Sequence, residues 1–95
     1  MPSIVRVGDQ CTGDGCLPPR PNVGGSSNVF INGIGVHRMS DGWATHTCGN
    51  TVHSGAVQAS GSGTVFANNL GVARVGDSIS CGAADAQGSS DVFAG

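Results

Sequence analysis

Apolar positions along this chain come in short clusters, and the clusters recur in register with the same polar partners. Val5-Arg6-Val7-Gly8-Asp9 returns as His37-Arg38-Met39-Ser40-Asp41 and again as Ala73-Arg74-Val75-Gly76-Asp77. A second signature, glycine and small polar residues before a Val-Phe pair, falls at 25–30, 61–66 and 88–93. After two of these the match continues, as ING-IGVHR over 31–38 and ANN-LGVAR over 67–74. The apolar runs are far too short for a helix face and alternate as strands do. Asn32-Gly33 and Asn68-Asn69 tolerate the positive φ of a two-residue hairpin turn. The repeat therefore predicts strand, tight turn, strand, then a second turn at Gly/Ser-Asp. Alternation places Val29, Ile31, Val65 and Val72 on shared faces. The three aspartates read as turn-closing residues or partners of the neighbouring arginine, not as catalytic acids.

Internal repetition sets the architecture. Three copies predict pseudo-threefold symmetry, each burying against its neighbours a face it cannot bury alone. The copies differ in what they carry. The first is interrupted by an irregular Pro- and Gly-rich loop at about 11–24. The second carries an insertion at about 41–57, and the third is the shortest. The expected organisation is a single domain over 1–95.

Composition narrows the fold class to all-β. The chain has no Lys and no Glu, the usual filling of helix surfaces, but 17 Gly. A hydrophobic fraction of 38% in 95 residues gives a thin core. Such chains take a staple, whether metal, disulfide or partner subunit. A net charge of −2 without a basic run argues against nucleic acid. No stretch approaches the ~20 apolar residues of a membrane span, and the start has no signal-peptide apolar region. Synthesis in the cytoplasm is therefore expected, where four cysteines read as metal ligands or free thiols.

Candidate chemistry is concentrated between Val36 and His53. All three histidines, His37, His46 and His53, lie there with Cys48. Imidazole and thiolate are the donors tetrahedral zinc prefers. His46 follows Asp41 by five residues and Cys81 follows Asp77 by four, so superposed copies bring both just past the same turn. His37 takes the place of Val5 and Ala73 at a repeated inward position. His37, His46, His53 and Cys81 thus make a closed structural set. Cys48 is the rival thiolate, since Thr47-Cys48-Gly49 copies Ser80-Cys81-Gly82. Cys11 and Cys16 are either bonded to each other or free, the free state fitting a reducing cytosol. Trp43 is expected to pack over the insertion. Catalysis is not expected: the chain has no Glu, and Asp41 is the only acid in the stretch. Two other readings stand beside this one, a disulfide-stapled small secreted binding protein and a small zinc-dependent hydrolase.

VRVGD, GVHRMSD and GVARVGD, together with GSSNVFING, GSGTVFANN, SCG and GSSDVFAG, resemble the PAAR-repeat proteins across essentially the whole chain. That family comprises the tips of contractile phage tail spikes and of type VI secretion needles. The resemblance implies a short β-rich cone whose base sits on a trimeric β-helical spike (VgrG-like or a phage central spike), one tip per trimer. It also implies an apex stiffened by zinc, or iron, on His37, His46, His53 and Cys81. The implied role is mechanical piercing of a target envelope, with transient membrane contact, after assembly into a virion tail tip or secretion needle. The sequence departs from the family in having GVHR and GVAR for the PAAR tetrapeptide. It also has CTGDGC where a histidine-bearing turn is expected. No toxin extension is apparent, so the chain resembles a bare tip.

Overall fold

The computed structural model describes residues 1–13 and 15–95; Asp14, in the first-copy loop, lies outside them. Among the described residues there is no helix, and every strand belongs to a two-stranded antiparallel hairpin. Strand β1 (Phe30–Ile31) pairs with β2 (Ile34–Gly35), β3 (His46–Cys48) with β4 (Thr51–His53), and β5 (Phe66–Ala67) with β6 (Leu70–Gly71). The outer two are the expected hairpins. Their turns hold φ of 55° and 77° at Asn32 and Gly33, and 53° and 67° at Asn68 and Asn69. This is the mirror-image turn that matches strand twist, and Asn tolerates it.

Between hairpins the copies are tied by single antiparallel bridges: Arg6 to Val36, Arg38 to Val72, and Ile4 to Arg74. The bonding closes on itself. His37 N–H donates to the Val5 carbonyl, Ala73 N–H to that of His37, and Val5 N–H to that of Ala73, at 2.9–3.0 Å. All three residues of this ring are fully buried. A second set of equivalents lies at Ser26, Ser62 and Ser89. Each hydroxyl accepts from the N–H three residues on, at Val29, Val65 and Val92. Each also donates to another copy, to Asn68, the Gly95 carbonyl and Asn32 respectively. The third set is ionic. Arg6–Asp9, Arg38–Asp41 and Arg74–Asp77 pair at 2.8–3.0 Å, and each carboxylate also accepts from its arginine's backbone N–H. The aspartates close their turns, as the repeat predicts.

The core is thin and split. Ile4, Val36, Ala67, Val72 and Ala94 form one cluster, with Ile31 against it; Cys11, Trp43, Ala56, Ile79 and Ala83 form the other. Val29 and Val65 do not join Ile31 and Val72 inside but stay over a third exposed. Each precedes its two-residue strand and is held by its carbonyl, which accepts from Val36 or Val72 N–H. The strands are too short to carry alternation that far.

Polar groups are buried between the copies. The Gln58 amide donates to Asp85 Oδ2 at 2.6 Å, and its oxygen accepts from Trp43 Nε1 at 3.2 Å. Asp85 is 1% exposed and its Oδ1 has no hydrogen-bond partner among the described residues. Burial pushes the Asp85 carboxyl up to about 7, against the opposing pull of the Gln58 bond, with Asp77 and Asp9 adding to the rise. The folded state therefore binds this proton more tightly than the unfolded chain does. The resulting stability is full below the ordinary carboxylate range and is lost as pH rises through about 7. Asp85→Asn should match the parent at pH 3–4 and exceed it by about 1–4 kcal/mol at pH 8. Urea midpoints at the two pH values check this, and equal midpoints at pH 8 contradict it.

Candidate metal centre

The middle hairpin is built to present two imidazoles side by side. His46 and His53 are directly opposed in the β3–β4 register, so both side chains leave the same face. The period of two puts Cys48 on that face as well. Gly49, at φ 60°, opens the turn that reverses the chain. The ends of the insertion are closed by a bridge between Gly42 and Val57 and by Trp43 N–H donating to the Ala56 carbonyl. Trp43 itself is buried beneath the hairpin's base, in the second core cluster.

His46 is buried and oriented. Its Nδ1 donates to the Pro18 carbonyl at 2.8 Å, and because a carbonyl can only accept, the other nitrogen carries the lone pair. That Nε2 lies 3.3 Å from Nδ1 of the half-buried His53. Cys81 reaches them from the third copy, on the tight turn Ser80-Cys81-Gly82, where Gly82 takes φ 103°. One donor atom from each of His46, His53 and Cys81 lies within 4.8 Å of the others, a group that could hold a metal ion.

The chemistry of the donor set fits. Two nitrogens on a tetrahedral zinc at 2.0–2.1 Å stand about 3.3 Å apart, the separation of His46 Nε2 and His53 Nδ1. A ligating histidine whose second ring nitrogen donates to a backbone carbonyl is the usual supporting arrangement. The described residues supply three of the four donors such an ion takes.

The structure does not bring His37 into this group. It sits in the buried backbone ring with Val5 and Ala73, its Nδ1 donating to the Gly24 carbonyl at 2.7 Å and its Nε2 3.1 Å from Gln58 Oε1. Its ring meets Trp43 edge-on at 5.2 Å. Burial lowers the His37 pKa, partly offset by the Gly24 bond. The inward position read from the repeat is real, but inward there means toward the other copies and not toward the hairpin.

The cysteines also differ from expectation. Cys48 is bonded to Cys16 across 32 residues, so the rival thiolate is already engaged, and Cys16 is neither free nor joined to Cys11. Cys11 is a free, buried thiol in the second core cluster. Sequence reasoning missed two residues of the first-copy loop. One is Pro18, through its carbonyl. The other is Arg20, which donates to both Cys11 Sγ and Cys81 Sγ. A signal for Arg20 was present: it is the one arginine with no Asp three residues later.

A family model described as the PAAR motif matches residues 42–95. The matched segment is more than half of the chain and includes both hairpin histidines and Cys81. No curated protein matches the chain.

Proposed function

The chain belongs to the PAAR-motif family, and on that premise we propose that it is the tip of a contractile spike, capping a trimeric β-helical spike protein. It is a structural protein and not an enzyme, as membership of this family implies. The observation that carries the reading is the placing of its three phenylalanines. Phe30, Phe66 and Phe93 end the three equivalent Val-Phe signatures and are 58%, 57% and 47% exposed. A monomer of this size seldom leaves all its large aromatic side chains but one in water unless they meet a partner. One chain bearing the same apolar group three times suits a partner with three identical faces.

The metal has a mechanical part in this reading. His46, His53 and Cys81 would hold a zinc ion, with iron the alternative for the same donors, and would through it tie the middle hairpin to the third-copy turn. Extents of 38 × 23 × 23 Å, one long axis and two equal short ones, suit a cone stiffened at its apex and seated on its base. The Cys16–Cys48 bond adds a covalent tie from the first-copy loop to the same hairpin. In a phage tail or a type VI secretion needle, contraction then drives a rigid point through the target envelope.

Mixing the untagged protein with a trimeric β-helical spike and weighing the complex by native mass spectrometry tests the proposal. One chain per trimer is expected. Three chains per trimer would mean that each spike subunit binds separately, and the cap reading would fail.

A further inference from the structure

We propose that Arg20 is a positioning residue for the metal centre: its guanidinium holds the Cys81 sulfur in place and supplies the buried positive charge that complements a coordinated thiolate. The inference rests on the metal reading above. It begins from a contrast among the four arginines. Arg6, Arg38 and Arg74 each pair with the aspartate three residues on. Arg20 has no carboxylate partner among the described residues, yet it is 3% exposed.

Every edge of its guanidinium is engaged. Nε donates to the Ala44 carbonyl at 2.6 Å, Nη1 to Cys11 Sγ at 3.0 Å, and Nη2 to Cys81 Sγ at 3.3 Å. Its central carbon stands 5.2 Å from the centre of the Trp43 ring. A buried cation without an anion is costly. Two sulfur atoms, a carbonyl and an aromatic face soften that cost without supplying a carboxylate partner. A cysteine on a metal is a thiolate, so an ion at Cys81 gives Arg20 the anion it lacks.

The effect runs in both directions. Two fixed points, the Ala44 carbonyl and Cys11 Sγ, set the guanidinium plane, and its third edge then aims an N–H at Cys81 Sγ. That bond fixes the sulfur's lone-pair direction and draws electron density from it. Pro18, from the same loop, does the equivalent for His46 through its carbonyl. The first-copy loop is therefore a supporting shell, one bond removed from the ion, and such shells tune metal affinity.

Cobalt(II) is the probe, because a thiolate bound to it gives a near-ultraviolet charge-transfer band that reports on the sulfur. The metal-free full chain should bind one cobalt and show the band. Arg20→Lys and Arg20→Gln should bind cobalt about 10–100-fold more weakly in competition with a chelator. Their band should move to longer wavelength, since the sulfur has lost an N–H donor. Cys11→Ala keeps the guanidinium and removes one anchor; it should shift both readouts the same way by less, and it serves if the arginine variants do not fold. Unchanged affinity and an unmoved band in the folded variants would overturn the proposal, even if melting falls, because a purely structural arginine acts on stability alone. A parent protein that takes up no cobalt would overturn the metal reading itself.

Discussion

His46→Ala and His53→Ala should each lose bound metal and melt about 10–30 °C below the metal-loaded parent. An ion present at 100–1,000 times its dissociation constant stabilises the folded state by about 2.7–4.1 kcal/mol. For a domain of this size each kcal/mol is worth about 4–8 °C. The ion would join the β3–β4 hairpin to the third-copy turn, and among the described residues the second core cluster is small, with Trp43 and Ile79 its large side chains. Chelation of the parent should reproduce the variants' melting temperature, and chelation of the variants should change nothing further. Melting scans with elemental analysis of the same samples check this. Full metal content with unchanged melting in both variants would remove these histidines from the site. His37→Gln is the internal control. It should cost stability, since the residue is fully buried and its Nδ1 donates to the Gly24 carbonyl, while retaining metal.

Replacing Phe30, Phe66 and Phe93 together with serine should abolish capture by a trimeric spike and leave melting nearly unchanged. Each ring is roughly half in water already, so its removal takes little from the fold. A buried aromatic anchor in an interface is worth about 2 kcal/mol, or about 30-fold in affinity, and three such losses exceed what a specific complex withstands. Single replacements add a sharper test, because three equivalent sectors on a threefold partner should weaken binding to similar extents. Surface capture of the spike by the parent, three single variants and the triple variant separates the outcomes. Full binding by the triple variant would move the docking surface elsewhere.

The two predictions rest on features that differed in how openly the sequence displayed them. The phenylalanines, the Asn turns and the Arg–Asp turns are repeated at fixed offsets, and each is made by residues within a few positions of one another. Turn chemistry and period-two alternation are local physics, so the outer hairpins and the closing of each turn could be read directly. His46 and His53 belong to the same class. Seven residues apart across one glycine-bearing turn, they face each other in any two-stranded pairing with that register.

What the chain by itself determined was therefore an all-β body of short hairpins in three similar copies, with a histidine hairpin inserted in the second. Tertiary structure decided which groups meet. Repeat equivalence marked His37 as inward but could not say that its inward side is a closed backbone ring with Val5 and Ala73, where its Nδ1 donates to the Gly24 carbonyl and its Nε2 faces Gln58. Two cysteines stood in matching contexts, and only the approach of Cys16 to Cys48 left Cys81 as the thiol beside the histidines. Arg20 reaches Cys81 across 61 residues from an irregular loop whose path no periodicity encodes. The physical reason is common to all three. Local periodicity and turn residues fix which way a side chain leaves its strand, while its partner is set by how distant segments close on one another, and in a thin core a single long-range contact decides the chemistry.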